Sequence, residues 1–259
     1  MKIIYPKNMS EMVFRHLRAA GQDPQVPEGR DVGVLYPDGH TLIGLRSADI
    51  AVAVEAHADV GICGSDWIDE QRLRAGTDLL PLGSYAYGRR HLINPVLELI
   101  APRGKENMKP EDIPAGEFVM TEYPSLLKNF FNQLRIPAEI LERVQGGPSS
   151  PNKFRDWCKE HGVIGIRTVH GGIAAQVDQG FGYGTMVSEG GDTKLEYGIT
   201  PIATISRIST MLIADRGSYR KLDLRDEIKY LALKLNEGYR QMRGENTETI
   251  EDPGMGRRL

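Results

Sequence analysis

Arg46-Ser-Ala-Asp-Ile-Ala-Val-Ala-Val-Glu-Ala-His-Ala-Asp-Val-Gly-Ile-Cys-Gly-Ser-Asp66 is the stretch whose reading decides the fold. Ser47 is placed to cap a helix from Ala48 to His57. The apolar run Val60 to Cys63 then reads as a buried strand, and Gly64 turns the chain into a second helix opening near Asp66. A strand that ends in a glycine turn at a helix N-terminus is where α/β proteins place small anionic ligands, because backbone N–H groups and the helix dipole converge there.

Outward from this stretch, strand-like and helical patterns alternate. Lys2 to Tyr5 reads as a strand and Ser10 to Ala20 as a helix closed by Gly21. Val32 to Tyr36 and Thr41 to Leu45 flank Pro-Asp-Gly and predict a hairpin. The second helix runs to about Ala75. Residues 92–100 read as a strand region crossing into a second lobe. Glu117 to Thr121, Ala138 to Leu141 and Val163 to Val169 are further strands, with helices from Pro124 to about Leu134 and from Pro151 to Gly162 between them. After Gly180 the chain turns glycine-rich. The β-rich runs Thr200 to Ser206 and Thr210 to Ala214 are expected back in the first lobe, followed by an amphipathic helix from Asp223 to Arg243 and a frayed polar tail. The pattern predicts an α/β protein of two lobes with a ligand cleft between them. Residues 1–91 and 181–243 form lobe I, residues 92–180 form lobe II, and 244–259 form the tail.

Composition narrows the function classes. With 259 residues of which 40% are hydrophobic, the chain can build two substantial cores. Its apolar runs fall far short of the ~18 residues that mark a membrane span, and Met1 to Lys7 lacks the form of a secretory signal. Two cysteines, Cys63 and Cys158, give no disulfide framework. A cytoplasmic location is expected. A net charge of −3 argues against nucleic-acid binding, so an anionic ligand must be held by local geometry and a few cations. The six histidines show no metal-ligand spacing. His16, His57 and His161 sit in helical patterns and read as structural or solvated.

Ser188-Glu189-Gly190-Gly191-Asp192-Thr193-Lys194-Leu195 carries the chemistry. Two glycines let backbone amides point at one spot, Asp192 or Thr193 can cap a short helix, Thr193 adds a hydroxyl and Lys194 a charge. The segment fits a phosphate loop; it also fits an ordinary capped turn. Lys7 and Arg46 each stand between a strand and a helix and can meet an anion. Asp66 and Glu122 stand at the same kind of junction and are either ligand contacts or caps. His170, before Gly171 and Gly172, faces the predicted cleft. Arg89-Arg90-His91 reads as hinge surface, with a pyrophosphate or base contact as the alternative.

Several blocks resemble the ATP phosphoribosyltransferase family, which opens histidine biosynthesis. Pro6-Lys7 is similar to its Pro-Lys-Gly opening, and Arg46 to Ile50 to its Arg-Pro-Ser-Asp-Ile-Pro. Ala58 to Asp66 resembles Ala-Asp-Leu-Gly-Ile-Thr-Gly-x-Asp, and Phe118 to Pro124 resembles Val-Ala-Thr-Glu-Tyr-Pro. Glu189, Gly190-Gly191, Thr193 and Gly198-Ile199 follow the order of the family loop that grips the 5-phosphate of phosphoribosyl pyrophosphate. The resemblance implies a fold like the type II periplasmic binding proteins. It implies transfer of a phosphoribosyl group from phosphoribosyl pyrophosphate to a nitrogen nucleophile, ATP or another acceptor, with pyrophosphate release and Mg2+ bound with the pyrophosphate. It also implies a homo-oligomer, dimer or larger.

In that reading Gly190, Gly191, Asp192, Thr193 and Lys194 hold the 5-phosphate, and Lys7 and Arg46 meet pyrophosphate or the acceptor. Glu122, Asp66 or Glu189 orient the acceptor or magnesium, with His170, Gly171 and Gly172 nearby. Two departures stand out. Where the family has ribose-binding carboxylates, this chain places Ala174, Tyr183 and either Met186 or Val187, unless Gly146-Gly147-Pro148 is the true counterpart of the family's Gly-Ser-Val-Glu. Extra residues lie near 142–165, and nothing resembles the family's C-terminal regulatory domain. The missing carboxylates also allow a different class, a catalytically inactive sensor of a phosphorylated metabolite.

Overall fold

The computed structural model describes residues 1–143, 150–189 and 197–245. The described residues form two mixed sheets. The first runs β2-β3-β4-β1-β5-β13-β6, built from β1 (Lys2–Pro6), β2 (Asp23–Gln25), β3 (Val32–Tyr36), β4 (His40–Leu45), β5 (Val60–Gly64), β6 (Leu79–Tyr85) and β13 (Thr210–Asp215). The second runs β12-β7-β11-β8-β10-β9, from β7 (Val96–Ala101), β8 (Phe118–Thr121), β9 (Ala138–Ile140), β10 (Ile164–Thr168), β11 (Tyr183–Ser188) and β12 (Thr200–Arg207). The helices are α1 (Ser10–Ala19), α2 (Ser47–His57), α3 (Ser65–Ala75), α4 (Pro124–Gln133), α5 (Pro151–His161), α6 (Ile173–Asp178), α7 (Arg216–Arg220) and α8 (Leu222–Met242).

The opening stretch folds as β4–α2–β5–α3. Its glycines have different reasons. A Cβ on Gly61 would run into the Val54 and Ile50 side chains, so this glycine lets α2 lie flat on β5. A Cβ on Gly64 would run into the Asp66 carboxylate, so that glycine lets Asp66 fold back over the strand end. Ser47 is not the cap the sequence predicts. It is the first helical residue, Arg46 holds the cap position, and the Ser47 hydroxyl donates to Asn8 Oδ1 at 2.9 Å. The helix instead gains its anchorage from Ile50, Ala51 and Val54, all fully buried.

The chain crosses between sheets at residues 86–95 and again between β12 and β13. The return to the first sheet therefore comes later than the glycine-rich run suggests. Strands β11 and β12 flank β7 in the second sheet, and only β13 goes back, antiparallel to β5 and β6. The physical reason lies in β7: Leu97, Leu99 and Ile100 are essentially buried and need a paired strand on each side. After β13, α8 packs on α1 and β6 through Ile228, Leu231 and Leu235. Gly238 permits the crossing, since a Cβ there would strike the α1 backbone at Ala19 and Ala20.

One apolar cluster runs through both lobes. It joins Ile50, Trp67 and Ile213 of the first to Leu97, Tyr123 and Leu126 of the second. Trp67 and Tyr123 pack ring on ring at 4.4 Å between centroids. Beside them the Glu70 carboxylate, on α3, accepts from the backbone N–H groups of Ser125 and Leu126 at 3.1 and 2.8 Å. These amides open α4 and lack partners within the helix, so a carboxylate from one lobe caps a helix of the other.

Candidate active site

A cleft of about 1800 Å³ opens between the lobes. It lies beyond the carboxyl ends of parallel strands from both sheets, the usual ligand position in open α/β structures. Lys7 follows β1, Arg46 follows β4, Asp66 follows β5, Glu122 follows β8 and His170 follows β10; all five line the cleft. Gly171, Gly172 and Glu189 line it too. Gly190, Gly191, Asp192, Thr193 and Lys194 lie outside the described residues, as does Gly146-Gly147-Pro148. Glu189 and Tyr197, the nearest described residues before and after the first segment, both line the cleft.

The cations are tethered rather than loose. Lys7 Nζ pairs with Asp31 at 2.5 Å, and Arg46 Nε pairs with Asp49 at 3.1 Å while 84% of its side chain stays exposed. Exposed pairs of this kind contribute roughly 0–1 kcal/mol, so an incoming polyanion can displace them.

The acidic residues have more definite tasks. Glu122 accepts from the Gly171 N–H at 2.8 Å. Gly171 and Gly172 have φ of 74° and 63°, and the carboxylate holds this left-handed turn at the mouth of α6. Glu189 accepts from the backbone N–H groups of Arg89 and Arg90 at 2.6 and 3.1 Å. A Cβ on Gly88 would collide with that carboxylate, so glycine is needed there for the two segments to meet.

Asp66 is buried at 6% exposure and is hydrogen-bonded to Tyr123, while its Oδ1 has no partner. Burial pushes its carboxyl up to about 6, against the pull of the Tyr123 hydroxyl. Tyr123 is raised in turn, chiefly by burial and then by Asp66. Cys63, beneath them, is fully buried with its thiol pushed well up by burial, which makes it packing and not a nucleophile.

Arg89 and Arg90, expected as hinge surface with a pyrophosphate or base contact as the alternative, line the cleft. They are carried there by the first crossing segment and pinned by Glu189. The signal was their position between two sheets, where a hinge and a ligand wall coincide. Glu70 and Trp67 were missed, because capping across lobes leaves no local pattern. Of the positions aligned with the missing carboxylates, Ala174, Met186 and Val187 face the cleft, whereas Tyr183 is buried at 7% exposure in the lobe II core. Those three cleft positions carry apolar side chains. Among the described residues no group of three or more His, Cys, Asp or Glu side chains can hold a metal ion. No described helix is long and apolar enough to cross a membrane.

The ATP phosphoribosyltransferase family model matches residues 46–147. The ATP phosphoribosyltransferase of Thermococcus kodakarensis is 27% identical over 237 residues, covering 91% of this chain and 96% of that protein. Among solved structures, a chain of the ATP phosphoribosyl transferase (HisG:HisZ) complex from Thermotoga maritima superposes with a TM-score of 0.66 at 17% identity, over 93% of this chain and 99% of that one. A putative L-cystine ABC transporter from Listeria monocytogenes gives 0.53 at 11% identity, over 95% and 91%. At these identities the two structures speak to the two-lobed fold alone.

Proposed function

Because the chain belongs to the ATP phosphoribosyltransferase family, we propose that it transfers the phosphoribosyl group of phosphoribosyl pyrophosphate to a nitrogen of ATP and releases pyrophosphate. The observation that carries this reading is the convergence of Lys7, Arg46, Arg89 and Arg90 on one cleft that Glu189 and Tyr197 also line. In the reaction the bond from the ribose anomeric carbon to pyrophosphate breaks and a carbon–nitrogen bond forms at the same carbon. Negative charge grows on the leaving group while the ribose becomes cation-like. The protein's part is to align the two reactants and stabilise the departing anion.

Four cations in the cleft meet that demand. Gly190, Gly191, Asp192, Thr193 and Lys194 are assigned to the 5-phosphate. Glu189, the residue before that segment, holds the Arg89–Arg90 backbone. Glu122 and the turn it holds, His170 to Gly172, form the facing wall. Magnesium enters as the companion of pyrophosphate. Glu122 and Glu189 accept from backbone amides, Asp49 pairs with Arg46, and Glu70 caps α4 at the seam between lobes. A lobe division with β11 and β12 in lobe II, a homo-oligomeric state and a cytoplasmic setting belong to the same proposal.

Calorimetry with Thr193→Ala tests the loop. Binding of phosphoribosyl pyrophosphate should weaken by roughly ten- to a hundredfold, from the loss of one charge-assisted hydrogen bond. Unchanged affinity removes the loop from the account.

A further inference from the structure

A second cavity, of about 300 Å³, lies in lobe II and shares no lining residue with the cleft. Its floor is the face of the second sheet that carries Phe118, Met120 and Arg167, aligned on adjacent parallel strands. Helix α5 supplies Arg155, and Gln176 and Phe181 close the other side.

Two guanidinium groups therefore face one small space. Among the described residues that line it there is no Asp or Glu, and neither arginine has a carboxylate partner among the described residues. The Arg155 Nε is buried and has no hydrogen-bond partner. Buried donors are almost always paired, so this one marks a missing acceptor. The Phe118 ring supports the Arg155 guanidinium from one side at 5.0 Å, which steadies the cation but supplies no acceptor. The first turn of α5 lies at the same cavity through Asn152 and adds partial positive charge. Phe181, 63% exposed, stands at the cavity as an uncovered aromatic ring.

We propose that this cavity is a second ligand site, for a small organic anion that carries its carboxylate or phosphate on a planar apolar body. The anionic group completes Arg155 and Arg167, whose flat forks match two-oxygen acceptors. The planar body lies between Met120 and Phe181. The proposed transfer reaction uses neither arginine.

Calorimetric titration with phenyl phosphate, benzoate and inorganic phosphate tests the site, and comparison of the first two identifies the preferred anionic group. Phenyl phosphate or benzoate should bind the wild-type protein. Arg155→Gln and Arg167→Gln should each weaken that binding by about tenfold, the size of one lost charge-assisted contact. Phe181→Ala changes an exposed side chain and leaves the fold intact. It should weaken the aromatic ligands while leaving inorganic phosphate unaffected. Transferase turnover should match wild type in all three variants. Should Arg155→Gln fail to fold, Arg167→Gln and Phe181→Ala carry the test. Absence of binding by either aromatic anion, or binding that all soluble variants retain at full strength, overturns the proposal. Inorganic phosphate binding as tightly as phenyl phosphate overturns the assignment of a planar body.

Discussion

Replacing Glu70 should loosen the seam between the lobes, and the structure sets the size of the effect. The carboxylate is 2% exposed and accepts two backbone N–H groups, at 3.1 and 2.8 Å, from the first turn of α4. Hydrogen bonds to a charged group contribute about 1.5–3 kcal/mol each. A carboxylate at a partly buried helix N-terminus adds up to about 2 kcal/mol through the dipole. Against this stands the cost of burying the charge, several kcal/mol before compensation. The net loss for Glu70→Ala is therefore about 2–4 kcal/mol, with two helix-opening donors left unpaired. Glu70→Gln keeps one acceptor and should lose about half as much.

Urea denaturation reads the total, and amide hydrogen exchange reads the place. The Ser125 and Leu126 amides should exchange at least about tenfold faster in the alanine variant, while Leu212 and Ile213 on β13 change only with global stability. A loss below about 0.5 kcal/mol, the level of an ordinary surface substitution, would show that the seam does not depend on Glu70.

Asp66 and His16 should make pH dependence visible in opposite directions. Burial raises the Asp66 carboxyl from 3.8 to about 6, so the native protein holds a proton there that the unfolded chain has released, and this group's contribution to stability falls as pH rises through that window. Asp66→Asn should be about 2–3 kcal/mol more stable than wild type near pH 8 and equal to it near pH 4. His16 lies buried between Tyr85, Tyr87 and Tyr239, and burial lowers it from 6.5 to about 4 against the carbonyl of Leu235; its contribution is full above 6.5 and is lost as pH falls towards 4. The asparagine variant, left without the opposing carboxyl, should lose stability more steeply on acidification, and parallel melting curves for the two proteins would refute the assignment. Glu189→Gln should reduce kcat/KM by roughly tenfold by loosening the Arg89–Arg90 backbone, with the melting temperature little changed; full activity in this variant would separate the arginine wall from catalysis.

The parts of the fold readable from the sequence were those with local causes. The order β4–α2–β5–α3 follows from Ile50, Val54 and the run Val60 to Cys63, which only one folding of that stretch can bury. The site residues after β1, β4, β5, β8 and β10 were legible because strand ends in an α/β protein share one side. Contacts between distant segments were not legible. Glu70 capping α4, Glu189 holding Arg89 and Arg90, and β12 pairing with β7 are made by residues far apart in the chain, and no spacing encodes them. Ser47 misled because a serine before an apolar run has the form of a cap, yet here the neighbouring Asn8 takes its hydroxyl. The apolar residues that the resemblance sets at Ala174 and at either Met186 or Val187 were visible in the sequence, while their place in the cleft lining was visible only in the fold.

The central claim is that this cleft, without those carboxylates, performs phosphoribosyl transfer. Pyrophosphate release on mixing the protein with phosphoribosyl pyrophosphate, magnesium and ATP tests it most directly. The account predicts release that requires ATP, forms one phosphoribosyl-ATP per pyrophosphate, and collapses in Thr193→Ala. Tight binding of phosphoribosyl pyrophosphate with no turnover, by ATP or by any other nitrogen acceptor, would contradict it and leave a sensor in the place of an enzyme.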